Sequence, residues 1–331
     1  MKMKRISAII LAILLAHTAF SQEYLARARQ SKEWGYIQKD GSWFINPQFE
    51  HVNNFSEGLA SVKSDGLWGF IDKNGSFIVN PQFNDANNFS EGLASIKKEK
   101  LWGFIDKEGN YVINPQYENA YDFSEGLVHV RANKEWGYIN KNGNYIINPQ
   151  FERAEPFNDG IARVRVNGRW GYINKEGKYE INPQFDDAGN FRDGYAKVRK
   201  GKLWGFINRE GKFVINPQFP QAKDFDNGTA AVKSGKEWGF IDKTGKFTIN
   251  PQFLDALSFS EKIAAVRQGK EWGYIDLDGK FVVNPQFENA NDYHYGMALV
   301  KKAGLFGWID KDGNFAINPT FGNAYRFVKV K

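Results

Sequence analysis

Three observations predict an all-β repeat array. A tryptophan returns every 34 residues, an Asn-Pro pair follows each one at a fixed distance, and the apolar residues between them alternate with a period of two. A 34-residue period also suits paired helices. Asn-Pro in every unit, from Asn46-Pro47 to Asn318-Pro319, excludes them, because proline breaks a helix interior. The expected architecture is a row of nine three-stranded antiparallel β-meanders stacked as an open β-solenoid or superhelix. A closed, propeller-like ring is the alternative.

Trp34, Trp68, Trp102, Trp136, Trp170, Trp204, Trp238 and Trp272 keep the period without an insertion. The ninth step falls on Phe306, with a tryptophan two places on, at Trp308. The second unit serves as the pattern. Its first strand is expected at 59–63, its second at 67–72 and its third at 76–80. Asp65-Gly66 between the first two suits a type I′ turn, as does Asn167-Gly168. Gly201-Lys202, Gly235-Lys236 and Gly269-Lys270 suit type II′. Asp72-Lys73-Asn74-Gly75 fits a type I turn closed by a left-handed glycine, and Asn80-Pro81 is expected to end the third strand.

These turns set a register that places Lys63 opposite Trp68, Val62 opposite Gly69 and Ala60 opposite Ile71. One face then carries Ala60, Val62, Gly69, Ile71, Phe77 and Val79. The other carries Lys63, Trp68 and Phe70, with Ser61 and Ile78 at positions that vary between units. Both faces are apolar, so each sheet is expected between two neighbours. The segment joining units contributes Phe83, Ala86 and Phe89. A glycine follows each tryptophan: Gly35, Gly69, Gly103, Gly137, Gly171, Gly205, Gly239 and Gly273, with Gly307 keeping phase in the ninth unit. Glycine weakens a strand interior, so its return implies close approach of a backbone or ring of the adjacent unit, or room for a ligand. The ninth unit departs from the pattern as a cap would, and its last joining segment leaves no strand to exchange with the first unit. These two features favour the open array.

The motif Trp-Gly-[Phe/Tyr]-Ile-[Asp/Asn]-Lys-x-Gly, followed by Ile-Asn-Pro-Gln-Phe and Phe-Ser-Glu-Gly-Leu-Ala-x-Val, resembles the bacterial WG-repeat (KWG) family across residues 24–331. The resemblance implies a β-rich array that is often exported. It implies no reaction and brings no catalytic residue with it.

Residues 1–21 read as a signal peptide: Lys2, Lys4 and Arg5, then an apolar stretch, then Ala19-Phe20-Ser21 before a cleavage at Gln22. The repeat array occupies 22–331. Losing the leader lowers the net charge from +6 to +3, too weak a bias to imply nucleic-acid binding. With no cysteine, the chain suits export to a periplasm or a cell surface without disulfides. No later stretch is long and apolar enough to span a bilayer.

Residues that break the repeat are where unique chemistry would lie. His51, His129 and His294 occupy three different phases, without metal-ligand spacing. No thiol, nucleophile elbow or phosphate loop occurs. Asp72, Asp106 and Asp242 open turns, and Asp276-Leu277-Asp278-Gly279 is a turn rather than a calcium loop. No catalytic, cofactor or metal residue is expected.

One candidate binding feature is the basic residue that ends every first strand: Arg29, Lys63, Lys97, Arg131, Arg165, Arg199, Lys233, Arg267 and Lys301. Each faces the tryptophan of its unit, or Phe306 in the last, as a cross-strand cation–π pair or as a stripe for an acidic polymer. Glu57, Glu91, Glu125 and Asp159 temper its sign. The aromatic strand is core if buried and a sugar platform if exposed. The expected function is a non-enzymatic, exported scaffold for a protein or envelope polymer, acting by avidity. A carbohydrate-binding module is the alternative.

Overall fold

A computed structural model of the chain describes residues 24–330. The expected signal peptide lies outside the described residues. All regular structure among them is strand; the segment around Ala86, where a single helical turn is compatible with the pattern, is the strand Asp85–Ser90.

Each blade is a small antiparallel sheet. In the second, the strands Ala60–Ser64, Leu67–Ile71 and Phe77–Phe83 form the expected meander. The register is the expected one: Lys63 faces Trp68, Val62 faces Gly69 and Ala60 faces Ile71. Asp65 and Gly66 have φ of 51° and 77°, both positive as a type I′ turn requires, and Gly201 has a positive φ of 65° where type II′ needs one. Asp72 Oδ1 accepts from the N–H of Asn74 and of Ser76, closing the next turn.

Two local expectations are corrected. The third strand does not end at Asn80-Pro81 but runs on to Phe83. It does so through a bulge, since Phe70 pairs with Val79 while Trp68 pairs with Phe83. The bulge lets Pro81 sit where no ladder donor is needed, and it moves Val79 to the Phe70 side of the sheet, away from Ala60 and Val62. The glycine after each tryptophan is also explained within its own blade. A Cβ on Gly137 would lie 2.5 Å from Ile147 O and 2.6 Å from Pro149 N, the bulged backbone of the same blade rather than the adjacent unit.

A fourth strand, missing from the three-strand expectation, precedes the meander. His51–Val52 pairs with the first strand through His51↔Lys63 and Val52↔Val62. Two paired residues are too few for alternation to show. In the seventh blade it shrinks to a single bridge, Ala222↔Val232. There Pro220 replaces the residue whose N–H elsewhere donates to the first strand, as Glu50 does to Lys63 O at 3.0 Å.

The short strand lies on the axis side. Equivalent turns of successive blades touch there, with Glu57 accepting from Gly92 N–H at 3.0 Å, whereas third-strand residues such as Ile78, Val112 and Ile146 are exposed at the outer edge. Between blades the sheets pack face to face, as expected. Trp34, Tyr36 and Phe49 of the first blade meet Ala60, Val62 and Ile71 of the second. Phe70 and Ile71 are fully buried, and each side chain of this kind contributes about 1.5–3 kcal/mol.

The expectation of an open solenoid is overturned, and the chain closes into a nine-bladed β-propeller. Nine blades in an open row share eight interfaces. The described residues form nine cores, and the ninth joins Leu299, Trp308, Phe321 and Phe327 to Ala26, Ala28 and Ile37. Asn323–Ala324 pairs with the first strand of blade one (Ala28↔Ala324), and Val328 pairs with Leu25. The last joining segment is therefore the inner strand of the first blade. Trp308, which reads as a cap in sequence, fills this seam with no exposure.

Candidate binding site

The nine basic residues all stand opposite their aromatic partners: Arg29↔Trp34, Lys97↔Trp102, Arg131↔Trp136, Arg165↔Trp170, Arg199↔Trp204, Lys233↔Trp238, Arg267↔Trp272 and Lys301↔Phe306 match the pair in the second blade. The charge sits over the ring in three of them, at 5.8 Å for Arg29, 5.9 Å for Arg199 and 5.6 Å for Lys301. Arg131 and Arg165 turn instead to Glu118 and Glu152, at 3.6 and 3.7 Å. These carboxylates, and not Glu57, Glu91 or Glu125, temper the stripe. The latter lie at the opposite end of the first strand, where they link blades. Glu91 accepts from Gly126 N–H at 3.1 Å and pairs with Lys141 at 3.1 Å. At Glu125, burial raises the carboxyl pKa, but Lys175 and the N–H groups of Gly160 and Asp159 outweigh it and hold it below the usual range. The indoles are largely core: Trp34, Trp102, Trp170 and Trp238 are buried and the other four half-buried, so they form no row of open ring faces.

Chemical variety gathers at the inner edge, at a pair of positions eight residues apart that the sequence reading did not connect. In blades two and three they hold Asn53 with Ser61 and Asn87 with Ser95, hydrogen-bonded at 2.9 and 2.8 Å. In the fourth blade Tyr121 stacks on His129 at 4.6 Å, and in the fifth Glu155 meets Arg163 at 3.6 Å. In the sixth, Gly189 leaves room for Lys197, whose stem a Cβ there would meet at 2.9 Å. At the seam Arg27 lies 3.8 Å over the Tyr325 ring. The residues at the two positions vary together along the chain, and their pairing is visible only once the short strand is known.

A cleft of about 690 Å³ opens between the fourth and fifth blades and is lined by Tyr121, Asp122, His129, Trp136, Arg153 and Glu155 among others. His129 is 4% exposed and its Nδ1 has no hydrogen-bond partner; Asp122 Oδ1 likewise has none. Burial lowers the His129 pKa to about 3 and raises that of Asp122 to about 6. Of the other histidines, His51 stacks loosely on Trp68 at 6.5 Å, and His294 lies 2.6 Å from Arg326. No cluster of three or more metal-ligating side chains occurs among the described residues. The Asp276 turn is a hydrogen-bonded one, with Oδ1 accepting from Asp278 and Lys280 N–H.

Nine successive stretches, from 34–68 to 306–329, match the WG containing repeat. The chain belongs to the WG-repeat family. Its WG repeats are thus the blades of a closed propeller, each match running from one blade into the next. No curated protein matches the chain. Among solved structures, a eukaryotic initiation factor superposes with a TM-score of 0.65 at 12% identity, covering 94% of this chain and 99% of that one. The dihydro-heme d1 dehydrogenase NirN does so with 0.51 at 11%, covering 93% and 75%. The likeness to the initiation factor spans the whole ring and, at this identity, speaks to the fold alone. Among the described residues of this WG-repeat chain, no helix is long and apolar enough to cross a membrane.

Proposed function

We propose that this WG-repeat propeller is an exported, non-enzymatic interaction protein whose partner is another protein or a cell-envelope polymer, bound at the axis-side rim. One observation carries the reading. Nine near-identical cores support inner-edge pairs that, apart from the shared asparagine–serine pair of blades two and three, differ from blade to blade, from Asn53/Ser61 to Tyr121/His129 to Arg27/Tyr325. A ring that served only as structure would have no use for this variety. Conserving the cores while varying one rim is how repeat scaffolds present a surface. The signal-peptide pattern and the absence of cysteine support export, and a net charge of +3 without the leader gives no reason to expect nucleic acid.

The test resets part of the rim to the Asn–Ser pair of blades two and three. Gly189→Asn with Lys197→Ser and Tyr325→Asn with Arg27→Ser are combined in one chain. Capture from envelope extract is then compared with the parent protein. The reading expects the parent's specific partner to be lost while the melting temperature stays within a few degrees. An unchanged set of captured molecules would show that the rim is not the binding surface.

A further inference from the structure

We propose that the cleft between the fourth and fifth blades binds one pyranose ring of a glycan, whose hydroxyls meet His129 Nδ1 and Asp122 Oδ1 while its C–H face lies on Tyr121.

The stacked Tyr121–His129 pair sets this cleft apart from the blades that carry an asparagine–serine pair. In blades two and three the corresponding positions carry Asn53, Asn54 and Ser61, and Asn87, Asn88 and Ser95, and there the asparagine and serine bond to each other. In the fourth blade the same positions carry Tyr121, Asp122 and His129, and there His129 Nδ1 bonds to nothing; Asp122 Oδ1 has no partner either, a feature it shares with Asn54 Oδ1 and Asn88 Oδ1. A buried polar atom without a partner costs about 1–3 kcal/mol, so one that persists is commonly met by something that enters the site. The partner must suit an imidazole nitrogen and a carboxyl together. A hydroxyl, which both donates and accepts, suits each in any protonation state.

The walls narrow the choice further. Arg131 pairs with Glu118, Glu152 with Arg165, and Glu155 with Arg163, so most of their charge is already balanced. Neither a polyanion nor an organic cation is selected by such walls. Tyr121 is 47% exposed; it stacks on His129 and lies tilted at 31° to Trp136, ring centroids 5.8 Å apart. That leaves an aromatic face beside hydroxyl-seeking atoms, the combination that matches the apolar face and polar rim of a sugar ring. The cleft volume, about 690 Å³, falls within the range of small-molecule sites.

This inference rests on the ring being a binder rather than an enzyme, but its test uses different residues. The chain from Gln22 onward is titrated with glucose, N-acetylglucosamine and their β-1,4-linked tetramers, following tryptophan fluorescence and saturation-transfer NMR. Butylammonium and inorganic phosphate are run alongside. At least one sugar is expected to give a saturable response. Tighter binding of the tetramer points to a polymer as the source, and equal binding points to a free sugar. Asp122→Asn and His129→Ser restore residues found in blades two and three, and each is expected to weaken binding about tenfold, the loss of one hydrogen bond. Tyr121→Asn supplies a third reading if either fails to fold. No saturable sugar response, affinity unchanged in all variants, or a response to butylammonium alone would each overturn the proposal. If the sugars fail here while the rim-reset chain loses its partner, the scaffold reading stands and this one falls.

Discussion

Gly137 shows how tightly one residue can be held by a repeat. Its missing Cβ would sit 2.5 Å from a carbonyl oxygen and 2.6 Å from a proline nitrogen, both backbone atoms fixed by the bulge. Neither can move aside as the end of a side chain could. Gly137→Val should therefore destabilise by about 3 kcal/mol or more, at the upper end of overpacking costs. An unchanged thermal midpoint would mean the bulge is not where it is described. His129 and Asp122 make a second residue-scale prediction, in opposite directions. With His129 lowered to about 3 from 6.5, its contribution is present above pH 6.5 and is lost as pH falls towards 3. With Asp122 raised to about 6 from 3.8, its contribution is present below pH 3.8 and is lost as pH rises through 6. Between pH 4 and 6 the two oppose each other in the parent chain. Asp122→Asn should expose the histidine slope, with stability rising with pH. His129→Ser should expose the aspartate slope, with stability falling with pH. Denaturant midpoints measured across pH 4–7 read both, and two variants with the same slope would contradict the assignment.

At the scale of the element, blades are joined by carboxylates as well as by apolar contact. Glu91 satisfies Gly126 N–H and meets Lys141 of the following blade. Glu91→Gln keeps the shape and removes the charge, and should cost about 1 kcal/mol, since charge-assisted hydrogen bonds outweigh exposed ion pairs. Equilibrium unfolding at low and high salt checks this, with the difference shrinking in high salt. The meander was legible in the sequence because a two-residue turn leaves only one register, so Asp65-Gly66 alone placed Lys63 opposite Trp68. Strand ends were less legible. Pro81 reads as a terminator, but a bulge absorbs it and carries the strand to Phe83. The inner strand was not legible at all, because His51–Val52 makes only two pairs. The pairing of Tyr121 with His129 was hidden with it, and so was the cleft they line. The basic row was found by its phase, but the sequence could not show that Arg131 and Arg165 turn from their tryptophans to carboxylates.

The whole molecule turns on where the joining segments belong. Each looks like the tail of its own unit, yet Phe49 ends one blade and His51 opens the inner strand of the next. Counted that way, the segment from Asn323 to Lys329 is left over at one end and a blade without an inner strand is left at the other, which is the closure that counting complete units conceals. Closure explains why Trp308 is fully buried at the seam, and why Tyr325 packs on Trp34 at 5.5 Å, across almost the full length of the chain. It also makes the rim a single continuous surface, which the proposed function requires. The chain has no cysteine, so a pair can be introduced without competition. Arg29 and Asn323 face each other across the seam. In the Arg29→Cys/Asn323→Cys chain a closed ring should form an intramolecular disulfide almost completely under mild oxidation, seen as a monomer of altered mobility on a non-reducing denaturing gel. In an open row, sheets about 10 Å apart would hold the two thiols roughly 80 Å from each other, and free thiols with only intermolecular products would contradict the ring.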